Sequence, residues 1–224
     1  MALVAVLLSL AACYGLYWHG ASLLPAKLEP TSTRYGTDLH GLYWSTLDGQ
    51  PPIRIEATSP PRIAWETASL VLGADHGAHR MTTSPQRQAL AQAARLHMLE
   101  LDGTNALSSG RRALAETALS IRISREWNAT QILDSILDRA WFGRGAKGFE
   151  AASRRWFGRP ATALDIHQRL ALLTLARGPS YLDPVCHRER FTERHARLVE
   201  TLQLDADPGA ARALAGLQPT TCPP

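Results

Sequence analysis

Residues 111–184 read RRALAETALSIRISREWNATQILDSILDRAWFGRGAKGFEAASRRWFGRPATALDIHQRLALLTLARGPSYLDP, and their spacing decides the fold class. Apolar side chains at Leu114, Ala118 and Ile121, then at Ile132, Leu133, Ile136, Leu137 and Trp141, recur at three- and four-residue intervals. That period places them on one face of a helix, so two helices are the minimum reading. Between them and the next helical stretch, Gly143, Gly145 and Gly148 fall within six residues. Glycine tolerates positive φ and close backbone approach, so this segment is predicted as a loop.

The order of residues resembles a known family. Arg112 and Glu116 in RRALAE, then ILDSILDRAWFGRGAKGFEAASRRWFGRPATAL, then LALLTLARGPSYLDP, are similar to the later motifs of the peptidoglycan glycosyltransferases, glycosyltransferase family 51. The family patterns run R-x-x-x-E, then I-L-E-x-Y-L-N-x-x-x-F-G-x-G-x-x-G-I-x-x-A-A-x-x-Y-F-G-K, then L-A-x-L-P-x-x-P-x-x-Y-x-P. The resemblance covers about one third of the chain, and a long ungapped match of Gly, aromatic and double-Ala positions is far more specific than a lone glycine motif. It implies a mainly α fold: a lysozyme-like helical glycosyltransferase domain with an N-terminal membrane anchor. It implies as ligand a lipid-linked disaccharide (lipid II) or the growing glycan strand, with a peptidoglycan synthase as a further partner.

The chain has 224 residues, 45% of them hydrophobic, enough for one sizeable core. Its 24 basic and 20 acidic residues leave +4, and the only lysines are Lys27 and Lys147. So mild a balance suits an anionic membrane surface or a diphosphate but gives no footing for nucleic acid, and no aromatic-basic strand motif or zinc spacing adds one.

Ala2 to Tyr17 is an almost unbroken apolar run, with Tyr14, Tyr17 and Trp18 near its far end, where amphipathic rings settle at headgroups. Sixteen to eighteen residues span ~24–27 Å, a short anchor against a ~30 Å hydrocarbon core. An uncleaved signal anchor at the periplasmic face of the inner membrane is the first reading. The alternative is a lipoprotein, since Leu10-Ala11-Ala12-Cys13 resembles a cleavage box. In an oxidising compartment Cys186 and Cys222 are left as a possible disulfide, beside the alternative of two free thiols. The expected organisation is an anchor or signal segment at 1–24, an irregular connector at 25–61, a transglycosylase-like helical domain at 62–204 and a tail at 205–224. Within the connector, Leu39–Trp44 and Ile53–Glu56 read as short strands.

Pro61 to Gly73 reads as a helix with Gly73 as its stop, followed by Ala74-Asp75-His76-Gly77-Ala78-His79 where the family carries E-D-x-x-F-x-x-H. In the family that first Glu is the general base that deprotonates the acceptor hydroxyl. Ala74 stands at its position, and a methyl group takes no proton. Asp75 remains beside it as a candidate catalytic acid. His76 and His79 lack further well-spaced ligands for zinc. The second family motif, G-G-S-T-I-T-Q-Q-L-x-K-N, leaves only Gln92 and Arg95 aligned, on a segment whose Leu90, Ala94, His97, Met98 and Leu101 mark a helix.

Carried over from the resemblance, Glu116 is the surviving catalytic acid, and Arg112, Arg111, Arg95 and Gln92 bind the diphosphate side of the donor. Arg144 and Lys147 extend a basic cluster along the glycine-rich loop. Asp138 stands where the family has Asn, and Trp156 and Phe157 are packing positions. No cofactor is certain; the resemblance allows a divalent metal.

Overall fold

The computed structural model describes residues 2–73, 84–101, 107–204, 213–218 and 221–222. Nine α-helices form in chain order among them: α1 Ala2–Ala21, α2 Thr37–Ser45, α3 Pro60–Gly73, α4 Pro85–Met98, α5 Ser109–Glu126, α6 Ala129–Arg139, α7 Phe149–Phe157, α8 Ile166–Leu175 and α9 Arg188–Thr201. The mainly α class is what the periodicity dictated. One backbone bridge, Trp141 to Lys147, is the nearest approach to a sheet among the described residues.

The strand expected at Leu39–Trp44 is instead part of α2, which buries Leu39, His40, Tyr43 and Trp44. Those positions recur at i, i+1, i+4 and i+5, a helical stripe and not the period of two that a strand requires. Ile53–Glu56, also expected as a strand, forms neither a strand nor a helix. Where one core was expected from length, two compact units form: Met1–Ser32 with Pro51–Leu133, and Thr33–Gln50 with Asp134–Pro224.

In the first unit, α5 packs against both α1 and α4, and α1 also meets α3. Gly20 permits the α1 contact: a Cβ there would collide with the Leu114 carbonyl of α5 and come within 3.1 Å of the Ala118 methyl. Arg122 of α5 then donates to the carbonyls of Pro25 (2.8 Å) and Ala26 (3.0 Å), fixing the chain where it leaves α1. Further on, Ser124 accepts from the Thr58 N–H at 3.0 Å and Arg125 donates to the Thr58 carbonyl at 3.0 Å. An apolar groove of about 620 Å³ remains between α1, α3 and α5, walled by Cys13, Leu16, Ile63, Ala68, Leu114 and Ile121 among others.

The α4 helix starts as its sequence prescribes, with Ser84 capping the Arg87 N–H and Pro85 in the first turn. Its buried stripe is Ala89, Leu90, Ala93, Ala94, His97 and Met98, and the His97 ring meets Trp127 edge-on at 5.7 Å.

In the second unit, α8 carries an Asp165/Gln168 capping box, and α9 buries Leu198 and Val199 against Leu170. Next to them lies a cramped histidine pair. His195 stacks on Phe191 at 5.8 Å, lies 6.4 Å from the His167 ring, and is wholly buried. The C-terminal residues fold back here. Ala213 and Leu217 line one narrow apolar slot with Trp156, Leu172 and Phe191, and the Gln218 N–H bonds the Trp156 carbonyl at 2.8 Å. Cys186 and Cys222 form a disulfide with Cα atoms 5.4 Å apart, resolving the alternative left open by the sequence.

Candidate functional site

Five candidate residues gather on two packed helices of the first unit. Gln92 and Arg95 are three apart on α4, so they share a side of that helix, with Gln92 half-buried and Arg95 exposed. Arg111, Arg112 and Glu116 stand on the N-terminal half of α5, the helix that packs on α4. Leu114 and Ala118 turn into the apolar groove. Arg112 and Glu116 lie ~160–200° round the helix from Leu114, so they present a separate polar face.

Glu116 is half-buried and makes no hydrogen bond or ion pair among the described residues. The four-residue spacing from Arg112 therefore does not give the helical salt bridge that would explain it away. A half-buried carboxylate without an ionic partner is able to accept a proton or a hydrogen bond from an incoming hydroxyl. Arg112 is engaged with the surrounding protein, and Arg111 is exposed at the helix start. Asp75, Ala74, His76 and His79 lie outside the described residues.

Arg144 and Lys147 belong to the second unit, on the loop the three glycines were expected to make. The loop is closed by Phe142 N–H to the Ala146 carbonyl (2.9 Å) and Gly148 N–H to the Ala140 carbonyl (2.8 Å). Gly148 has φ 86°, and a Cβ there would lie 2.8 Å from the Asp138 carbonyl oxygen. Only glycine meets both demands. Trp156, at the heart of this unit, donates from Nε1 to the Phe142 carbonyl at 2.9 Å.

The Arg144 guanidinium is committed inside the protein. Nε and Nη2 grip the two carboxylate oxygens of Asp183 at 2.9 and 3.1 Å, Nη1 donates to the Thr221 carbonyl at 2.7 Å, and the group lies 5.1 Å from the Trp156 ring centre. Burial alone would raise the Asp183 carboxyl. The Arg144 fork and the N–H groups of Val185 and Cys186 outweigh that and hold it below its ordinary value. In this arrangement Arg144 is a structural tie, and Lys147, exposed and bridged through its backbone to Trp141, is itself engaged with the surrounding protein.

Sequence reasoning passed over a buried pair. Asp134 of α6 is fully buried; its Oδ1 lies 2.8 Å from His40 Nε2 and accepts the Tyr35 N–H at 2.9 Å, while Arg34 stands 3.5 Å from the other oxygen. These contacts hold the segment before α2 to α6. The signal was present in Ile132-Leu133-Asp134-Ser135-Ile136-Leu137, where an acid in the middle of a buried stripe demands a partner. Tyr35 reaches the start of α7, where the N–H groups of Phe149 and Glu150 face its hydroxyl. Burial first, and Asp138 second, push that hydroxyl to about 12 in spite of those donors.

Among the described residues no cluster of three or more His, Cys, Asp or Glu side chains is placed to hold a metal ion.

The helical order, the glycine-rich loop and the acid on α5 define a class, and comparison with known proteins gives the same one. The transglycosylase family matches residues 90–203, half of the chain, and the chain belongs to that family. It is similar to penicillin-binding protein 1A of Mycobacterium tuberculosis, 34% identical over 120 residues, which is 50% of this chain and 14% of that protein. Penicillin-binding protein 1B of Vibrio cholerae is 34% identical over 108 residues, 45% of this chain and 14% of that protein. Penicillin-binding protein 2D of Bacillus subtilis is 31% identical over 93 residues, 42% of this chain and 14% of that protein. The matched part thus spans about one seventh of these relatives.

Proposed function

We propose that this protein works in cell-wall synthesis as a membrane-anchored, peptidoglycan glycosyltransferase-like protein that binds lipid-linked disaccharide or nascent glycan without polymerising it. The observation that carries this reading is the retained acid of α5, Glu116, in a chain with Ala74 at the position of the family's general base. Catalysis of glycosyl transfer needs a group that removes the acceptor hydroxyl proton as the hydroxyl attacks the anomeric carbon and the polyprenyl diphosphate leaves. Alanine removes that step, while Gln92 and Arg95 on α4 and Arg111 and Arg112 on α5 remain for the donor side. Arg95, Arg111 and Arg112 would supply charge-assisted hydrogen bonds to the diphosphate, with Gln92 as a neutral donor. The domain doing this is 62–204, facing the periplasm, with 1–24 holding it to the membrane. A partner synthase would then use the bound strand.

A second reading, an active polymerase, draws support from Glu116 itself, because a half-buried acid with no structural bond has no evident packing role. Asp75, one residue from the lost base, would then have to serve, although ~1 Å of misplacement already costs about 100-fold. The test uses the full chain in phospholipid vesicles with fluorescent lipid-linked disaccharide. Expected are saturable binding, weakened about tenfold by Arg112→Ala, as loss of one charge-assisted contact implies, and no glycan ladder on a gel. A ladder abolished by Glu116→Gln would establish the polymerase instead, and absence of binding would overturn both readings.

A further inference from the structure

The second unit holds its C-terminal end by a bond that chemistry can open. Cys222 is joined to Cys186, and the two cysteines stand in different surroundings: Cys222 is exposed and Cys186 half-buried. Arg144 Nη2 lies 3.8 Å from the Cys186 sulfur. That side chain is only 9% exposed, so water screens its charge little. Asp183 cancels part of the field, but its Oδ1 also accepts the N–H groups of Val185 at 2.8 Å and Cys186 at 3.1 Å. Cys186 further stands one residue before His187, the cap of α9, whose first turn favours negative charge although Glu189 offsets some of it. A cation beside a sulfur favours thiolate over thiol, and the sulfur with the better-stabilised thiolate is the better leaving group in disulfide exchange. Attack goes to the sulfur a nucleophile can reach, here that of Cys222.

The same bond is what the chain end depends on. Arg144 Nη1 donates to the Thr221 carbonyl at 2.7 Å, so one guanidinium meets both sides of the cross-link. Before it, the Gln218 N–H bonds the Trp156 carbonyl and Gln168 Nε2 donates to the Ala215 carbonyl at 3.2 Å. Ala213, Leu214 and Leu217 fill the slot against Trp156, Leu172 and Phe191. Two hydrogen bonds and three apolar side chains are a weak hold on a chain end, since every ordered residue gives up backbone entropy.

We propose that Cys186–Cys222 is a thiol–disulfide exchange site, opened by a dithiol that attacks the Cys222 sulfur, and that opening it unlatches 213–218 from the apolar slot. The attacking thiolate forms a mixed disulfide with Cys222 while the Cys186–Cys222 bond breaks, and Cys186 leaves as a thiolate beside Arg144. The second thiol of the reagent then displaces Cys222 from the mixed disulfide. Two electrons pass to the cysteine pair, the dithiol closes into its own disulfide, and its two protons end on Cys186 and Cys222. The partner is defined by that chemistry, two neighbouring thiols, and the site is independent of the saccharide reading.

The full chain in detergent is treated with excess glutathione, quenched with N-ethylmaleimide and mapped by peptide mass. Expected early products carry glutathione on Cys222 and maleimide on Cys186, in several-fold excess over the reverse. Equal or reversed labelling, or exchange that begins only in denaturant, overturns the site. In Cys222→Ser, iodoacetamide should reach half its limiting rate at the Cys186 peptide at a lower pH in the folded chain than in urea. An equal or higher pH overturns Cys186 as the favoured leaving group. Dithiothreitol is expected to raise hydrogen exchange at 213–218 while 149–157 and 166–175 stay protected. Continued protection of 213–218 after reduction overturns the latch, and so does loss of protection across all three segments.

Discussion

Arg144 sits at φ 52°, a left-handed backbone position uncommon for a side chain of its size, and its guanidinium is held by a buried carboxylate and a carbonyl. Arg144→Ala leaves Asp183 buried without its partner, so thermal or denaturant melts should show a loss of about 3 kcal/mol. Arg144→Lys should recover little of it, since an ammonium cannot fork across two oxygens. Because the folded Asp183 carboxyl is held below its unfolded value of 3.8, its contribution is full above that pH and fades as pH falls through the folded value. His195 titrates in a higher window. Burial, and the neighbouring His167 ring when charged, lower its pKa from 6.5 against a weaker opposing approach of the His167 main chain, and neither ring nitrogen makes a well-formed hydrogen bond. The unfolded chain therefore binds the proton more readily, and stability should drop as pH falls below 6.5 until the folded value is passed. His195→Phe should flatten that part of a stability-against-pH curve. The sequence marked Arg144 as one cation of a basic run, and nothing in the run announced Asp183, 39 residues away, as its partner. Glu116, by contrast, was picked out by its flanking residues alone.

Helix periodicity was the most legible level. The α4, α5 and α6 stripes lie mostly buried where three- and four-residue spacing placed them, because burial of an apolar face is what fixes a helix on its neighbour, but Trp141, counted with the α6 stripe, falls two residues past the end of that helix and is 48% exposed. In α2 the signal was misread. Leu39–Trp44 was read as a short strand, yet His40 is buried on Asp134, a contact 94 residues away that no local window displays. Gly20 carries the most exacting demand of any element contact in the first unit. Gly20→Val would force α1 off the Leu114 backbone, and a loss of about 1–3 kcal/mol is expected, read as a lower melting temperature in detergent and earlier proteolysis after Ala21.

For the molecule as a whole, family and fold class were readable because they rest on many positions at once, whereas the two-unit division was not. The second unit is assembled from residues 33–50 and 134–224, and no composition shift marks the breaks. Its tail depends on the Cys186–Cys222 bond, which closes a separation of 36 residues. In the chain-entropy account such a closure contributes about 3–4 kcal/mol, so Cys222→Ser, or thiol reductant on the wild type, should lower stability by that order and raise hydrogen exchange at 213–218. The packing of Gly20 on Leu114 also bears on how this protein is handled. A version trimmed at Pro25 to win solubility would strip one wall from the first unit and bare Leu114, Ala118 and Ile121 to water, so the shortened chain should clump where the intact one, kept in detergent, stays dispersed.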